Sequence, residues 1–176
     1  MKLSRQDIEK IAKENTIPYD NLRKVIAVES GGFGFDPKTG KIIIQFEPHW
    51  FKRLFPRWAN FAGIWATNKV EKQDAEWKAF NNAFSVNPTS AMESTSIGLP
   101  QIMGFHWKKL GFTSVGAFWD YMKVSEANQL KMMVAFIKLT PKMYRALQNA
   151  DWETFAFYYN GAQWRKFNYA ERLRKA

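Results

Sequence analysis

The sequence predicts a mainly helical α+β domain. Apolar residues recur at helical spacing through most of the chain, and Ser, Asp or Pro stands where those stretches begin. One short β-branched run, Ile42-Ile43-Ile44-Gln45-Phe46, interrupts them and reads as a strand. The expected architecture is therefore a single domain over residues 1–176, with one small β-hairpin or sheet among helices.

Each element has a local cause. Ser4-Arg5-Gln6-Asp7 is a helix start, with Ser4 as N-cap, Asp7 in the first turn, and Ile8, Ile11 and Ala12 following. A second helix begins near Asp20 and sets Leu22, Val25, Ile26 and Val28 mostly on one side. Gly31-Gly32 is its expected stop. Gly34-Phe35-Asp36-Pro37-Lys38-Thr39-Gly40 is a turn feeding the β-branched run, which is read as part of a hairpin. Residues 48–54 open with a proline, which suits a first helical position. Residues 71–84 carry Ala75, Trp77, Ala79, Phe80 and Phe84 on a broad apolar face. Ser114 caps residues 115–122, Ser125 caps a long segment through Ile137, and Pro141 opens another helix. Asp151 caps residues 152–159 ahead of Gly161. Residues 169–176 are short and basic.

Composition removes several function classes. With 46% apolar residues, including 15 Phe and 8 Trp, the chain has enough material for a packed core, so disorder is excluded. The absence of cysteine excludes a disulfide framework and thiolate chemistry. Two histidines, His49 and His106, without cysteine argue against a structural zinc site, and no metal or cofactor is expected. No apolar run approaches a membrane span, and residues 1–7 carry charge with no apolar stretch behind them, so no signal peptide is expected. A net charge of +10 favours polyanions: nucleic acid, anionic lipid, lipopolysaccharide or carboxylate-bearing peptidoglycan.

Glu29 stands where a helix disfavours it. The C-terminal turn carries the negative end of the dipole, and an acid there costs a few tenths to about 1 kcal/mol. That position and its apolar neighbours Ile26 and Val28 both push a carboxyl towards its protonated form. Two readings fit: a solvated glutamate at a frayed helix end, or an acid kept protonated for cleavage of a glycosidic bond. Glu47, between the strand and Pro48, likewise has two: a helix N-terminal acid, or a second carboxylate facing the first across a cleft. Two-carboxylate hydrolysis needs such a pair roughly 5–9.5 Å apart.

Five strings then occur in order: Val28-Glu29-Ser30-Gly31-Gly32; Ile44-Gln45-Phe46-Glu47-Pro48-His49; Glu93 through Phe105, with Ser96-Ile97-Gly98-Leu99-Pro100-Gln101-Ile102-Met103 at its centre; Asp151-Trp152; and Tyr159-Asn160-Gly161. Together they resemble the N-acetylmuramidase domain of phage and prophage endolysins, from about Ile17 onwards. The resemblance implies a lysozyme-like helical fold that cuts the β-1,4 bond between N-acetylmuramic acid and N-acetylglucosamine. It implies Glu29 as catalytic acid, Glu47 in the second acidic motif, and Ser96, Gln101, Met103, Tyr159 and Asn160 as substrate contacts. Pro48 stands where the family frequently has a basic residue, and His106-Trp107 where it usually has Asn or Tyr. On the residues alone, the Ser96–Gln101 segment admits close approach of a sugar. Tyr159 and Asn160 either face a cleft or simply close a helix. Glu93 is read as a structural or a catalytic acid, and His49 as a residue that orients Glu47 or packs structurally rather than acting as a base.

Two other functions compete. A lytic transglycosylase uses the same acid but closes an anhydro ring, and needs no second carboxylate, so Glu47 favours hydrolysis. A basic nucleic-acid-binding module would suit the charge, yet the cations are scattered and no nucleic-acid signature is present, so nucleic acid is not the expected partner. Arg165, Lys166, Arg172, Arg174 and Lys175, with Trp164, Phe167 and Leu173, form either a solvated basic flank or a contact for anionic outer-membrane lipid. The expected protein is a monomer without a separate wall-binding module. It is held in the host cytoplasm and acts on periplasmic peptidoglycan after release.

Overall fold

Side-chain caps set the helix boundaries where the sequence places them. The computed structural model describes residues 2–29, 33–57, 73–161 and 164–176. Helix α1 (Arg5–Glu14) opens with a reciprocal box: Asp7 N–H donates to Ser4 Oγ at 3.1 Å, and Ser4 N–H donates to Asp7 Oδ2 at 3.0 Å. Helix α2 (Tyr19–Val28) follows Pro18. Its expected stop, Gly31-Gly32, lies outside the described residues. Strand β1 (Ile44–Phe46) leads directly into α3 (Pro48–Leu54). Then come α4 (Gln73–Val86), α5 (Pro88–Glu93), β2 (Thr95–Ile97) and β3 (Ile102–Met103), followed by a 3-10 turn, Gly104–His106. The remainder is helical: α6 (Val115–Val124), α7 (Glu126–Lys138), α8 (Pro141–Gln148), α9 (Trp152–Asn160) and α10 (Tyr169–Lys175). Ser114, Ser125 and Asp151 each accept from the backbone N–H three residues on, as expected. Helix α5 follows the same rule through Asn87 and Pro88, although its brevity hid it from the sequence reading.

The turn before β1 forms as expected, while the strand it feeds finds most of its pairing elsewhere. Asp36 receives the N–H of Gly40 on its carbonyl at 2.8 Å, and its carboxylate receives Lys38 N–H and Thr39 Oγ1–H. Only an isolated bridge, Phe35 to Ile42, joins the two arms. Strand β1 instead pairs antiparallel with β2, Ile44 opposite Ile97 and Phe46 opposite Thr95. Strand β2 pairs in turn with β3 in the order β1-β2-β3. Turn chemistry is local and legible, whereas the choice of a partner strand about fifty residues on is made by tertiary packing.

Helix α4 completes the outer edge of this short sheet. Gln73 acts like a strand residue, receiving Ile44 N–H on its Oε1 at 3.0 Å and donating its Nε2 to the Ile44 carbonyl at 2.9 Å. Glu76 Oε2 receives Phe46 N–H at 2.8 Å. This corrects the expected apolar face. Glu76, Phe80 and Ala83 are buried, while Ala75 is exposed and Phe84 is 40% exposed. Glu71, the expected first residue of that helix, lies outside the described residues.

Two apolar clusters fill the interior. One gathers α1, α2, α7, α8, α9 and α10 around Leu22, Leu130, Met133 and Phe155; the other gathers the sheet and α3–α6 around Phe46, Phe51, Ile97 and Phe118. Helix α7 is the shared wall, for Leu130 and Ile137 belong to the first while Met132 and Phe136 pack on the second. Two polar side chains at its start tie the halves together. Glu126 receives Leu3 N–H at 2.6 Å and Gly34 N–H at 2.7 Å. Fully buried Gln129 receives Leu99 N–H at 2.8 Å and donates to the Met122 carbonyl at 3.0 Å. The Gln129 side chain lies so close to the strand turn that a Cβ at Gly98 would come within 2.8 Å of it. Gly98 also holds φ at +69°, a second reason for glycine there.

Replacing Gln129 with Leu keeps the volume but strands a buried N–H and a buried carbonyl. Urea unfolding is expected to show a loss of about 2–4 kcal/mol relative to wild type. A loss below about 0.5 kcal/mol would mean that these backbone groups find other partners.

Candidate active site

Glu29 is the C-cap of α2, with its own N–H still bonded to the Val25 carbonyl at 3.1 Å. Leu22, Val25, Ile26 and Val28 pull that helix into the first apolar cluster, which carries the Glu29 side chain to the edge of the core. Its Oε1 is shut off from solvent and has no hydrogen-bond partner among the described residues. Burial pushes the carboxyl up to about 8, with the Arg172 guanidinium offsetting part of that rise. The Glu29 side chain is thus not a fully solvated one at a frayed helix end, and burial favours its protonated form.

Tyr159 forms the wall beside it. The ring stacks on Phe155 with centroids 5.2 Å apart and meets the edge of Phe136 at 5.9 Å. Burial raises the phenol well above its ordinary value, with the Glu29 charge adding to the effect, so the hydroxyl remains a donor. It donates to the Pro100 carbonyl at 3.1 Å. The hydroxyl therefore anchors the turn after β2, whereas the cleft reading had it facing substrate. Asn160 is exposed at the end of α9, where Gly161 takes the positive φ expected of it, +68°.

Ser96, Gln101 and Met103 converge at that turn. Ser96 lies opposite Met103 in the β2–β3 register, and its Oγ donates to Gln101 Oε1 at 3.0 Å. Gln101 Nε2 donates to the Gly98 carbonyl at 2.8 Å, and its backbone holds φ at +49°. One amide hydrogen and one lone pair of Gln101 thus lock the turn, leaving one of each for a ligand. Ser96 is buried and supports Gln101 from beneath; Met103 is half-buried.

Glu47 lies at the other end of the same sheet. Its N–H donates to the Ser94 carbonyl at 2.9 Å, and the three steps from Thr95 to Gly98 span about 10 Å of strand. It occupies the N-cap position of α3 but makes no side-chain cap bond. Gln45 Nε2 donates to its Oε1 at 2.9 Å, and His49 Nδ1 lies 3.3 Å from its Oε2. The Glu47 side chain keeps 20% exposure. Behind it lies Glu76, whose burial, together with the Glu47 charge, pushes its carboxyl up to about 7. The sequence reading missed Glu76, although a glutamate in register with Phe80 and Ala83 was the available signal.

An aromatic row connects the two ends. Trp50, one turn beyond Glu47, packs on Phe105 at 4.8 Å. Phe105 meets His106 at 4.5 Å, His106 meets Phe136 at 5.0 Å, and Phe136 meets Tyr159. Burial and then Lys109 lower the His106 imidazole, so it sits in the row as a neutral ring. Glu93 receives the Trp107 indole N–H at 2.8 Å, which gives it a structural role. No cluster of His, Cys, Asp or Glu suited to a metal occurs among the described residues. What remains is a proton-holding acid and a partly exposed carboxylate, joined by aromatic surface of the kind that stacks on sugar rings.

The family profile of N-acetylmuramidases matches residues 18–176. Among solved structures, the chain is similar to the crystal structure of Burkholderia AP3 phage endolysin. The TM-score is 0.85 and the identity 35%, over 99% of this chain and 68% of that one. A comparison with curated proteins finds no match.

The Glu29 environment has a thermodynamic signature. A carboxyl whose native pKa exceeds its unfolded value takes up a proton on folding, so its contribution to stability is full below the ordinary carboxyl range. That contribution is lost as pH rises towards about 8. Glu29→Gln escapes the loss. Thermal melts should coincide for variant and wild type near about pH 4, and the variant should melt several degrees higher at about pH 8. Coincident melts at both pH values would mean that the carboxylate is well solvated.

Proposed function

The chain belongs to the N-acetylmuramidase family, and from that premise we propose that Glu29 is the acid that breaks the glycan strand, with Glu47 as its partner carboxylate. The protein is a peptidoglycan hydrolase of the endolysin type, cutting between N-acetylmuramic acid and N-acetylglucosamine. The observation that carries the assignment of Glu29 is a carboxyl oxygen, Oε1, shut off from solvent at the edge of the core, where burial pushes the group up to about 8. In this reading Glu29 gives that proton to the glycosidic oxygen. The C–O bond breaks, and positive charge develops on the muramic ring. Glu47, held by Gln45 and His49 on the same side of the sheet, steadies that charge or activates the incoming water. A carboxylate positioned this way supports hydrolysis over closure of an anhydro ring.

The free amide hydrogen and lone pair of Gln101, the Met103 side chain and exposed Asn160 are the proposed sugar contacts, with Ser96 and Tyr159 holding the turn that presents them. We further propose one catalytic domain over residues 1–176, acting as a monomer on periplasmic peptidoglycan after a stay in the host cytoplasm. The likeness to a phage endolysin supports action on peptidoglycan; no described helix is long and apolar enough to cross a membrane.

The outer-membrane lipid reading narrows. Tyr169, Ala170 and Leu173 are buried in the core, and Arg174 and Lys175 pair with Glu153 and Glu171. The proposed lipid contact is therefore Arg165, Lys166 and Phe167, where Phe167 is 60% exposed and Lys166 lies over its ring.

On purified peptidoglycan, Glu29→Gln should lose about 10²–10⁴-fold in turnover, and Glu47→Gln should lose less. Wild-type activity should fall above about pH 8 as Glu29 surrenders its proton. Products in water labelled with heavy oxygen should carry the label at reducing ends. Normal turnover by folded Glu29→Gln would end the assignment, and anhydro ends would replace hydrolysis by transglycosylation.

A further inference from the structure

Helix α10 exchanges caps with α2. The last turn of α2 contains no basic residue, its final carbonyls have no partner within the helix, and its C-cap is an acid. The missing cation comes from 144 positions away: Arg172 Nη2 donates to the Val28 carbonyl at 2.8 Å. In return, Lys24 Nζ donates to the carbonyls of Leu173 and Arg174, at 3.3 and 3.1 Å, and Arg23 Nη2 donates to that of Ala176 at 3.0 Å. Each helix thus has its C-terminal carbonyls closed by basic side chains of the other, which fixes the antiparallel register between them.

Within α10, Arg174 and Lys175 pair with carboxylates. Arg172 has no carboxylate ion pair among the described residues, and it reaches the peptide that precedes Glu29. We propose that Arg172 is a positioning residue for the catalytic acid: it clamps the backbone from which the Glu29 side chain departs and places a positive charge beside the carboxyl. The proposal rests on the reading of Glu29 as the acid.

Its chemistry concerns the state that Glu29 reaches after it has acted. When the proton passes to the glycosidic oxygen and the C–O bond breaks, Glu29 is left as a carboxylate with one oxygen, Oε1, shut off from solvent. Burial resists that departure, and a fixed cation assists it. The titratable and charged groups facing Glu29 among the described residues are Arg172 from α10 and Tyr159 from α9. Lys24, on α2 itself, is turned towards the α10 carbonyls. Tyr159 brings no positive charge, so the assistance falls to Arg172.

Arg172→Gln keeps a hydrogen-bond donor and removes the charge, Arg172→Lys keeps the charge, and Arg174→Met removes a neighbouring cation of the same helix. Turnover of soluble peptidoglycan fragments across pH, with fold checked by circular dichroism, separates them. Arg172→Gln should move the basic limb of the activity profile upward by about half a pH unit or more. It should also lower kcat about tenfold, with KM within about twofold of wild type. Arg172→Lys should keep the limb in place, and Arg174→Met should leave both limb and rate unchanged. A basic limb unmoved in Arg172→Gln, an equal shift in Arg174→Met, or loss of fold in Arg172→Gln would overturn the proposal. Glu29→Gln is run alongside. If it turns over, the acid assignment itself fails; if it is inactive while Arg172→Gln keeps the wild-type limb, only the role of Arg172 fails.

Discussion

Keeping a single carboxyl oxygen of Glu29 out of water, with no hydrogen-bond partner among the described residues, works against folding, because an unpaired polar atom and a suppressed ionisation both cost free energy. The surrounding architecture holds the group there regardless. Val25, Ile26 and Val28 bury one side of α2, Tyr159 closes the flank, and Arg172 caps the end of the helix. Each comes from a different part of the chain, so Glu29 reaches this buried state only when α2, α9 and α10 are all in place. Local strain of this kind persists when its surroundings over-determine it.

The sheet that carries the other half of the site is three strands of two or three residues, too small to stand alone. Helix side chains complete it. Gln129 holds the turn at Gly98 and Leu99, Glu126 holds the loop at Gly34, and Gln73 with Glu76 holds the outer ladder. Satisfied polar networks of this sort specify one arrangement where apolar packing alone would allow several. They also explain why Ser96 and Gln101 serve the fold before any sugar: the turn must be rigid to present anything.

Much of this was legible in the sequence, and the division follows sequence distance. Ser4, Ser114, Ser125 and Asp151 act on residues three positions away, and every one caps the helix expected of it. The misplacement of Glu29 at a helix end was also visible, since it offends a local rule. The partner of β1, the burial of Glu76 and the reach of Arg172 to Val28 depend on residues from about 30 to 144 positions apart, which no local pattern encodes. Tyr159 was read as facing either a cleft or a helix end, and the hydrogen bond of its hydroxyl to the Pro100 carbonyl, 59 positions away, was not legible. In the basic terminal helix, likewise, the charge was visible while the burial of Leu173 was not.

The way α4 closes the outer side of β1 bears on how the protein behaves when it accumulates. An uncovered strand edge offers a row of backbone donors and acceptors to any extended segment of another molecule, and so invites aggregation. Here Gln73 and Glu76 occupy Ile44 and Phe46 from that side, and the apolar run around β1 offers neighbouring chains no template along those positions. High concentration then need not lead to sheet-mediated clumping through this edge.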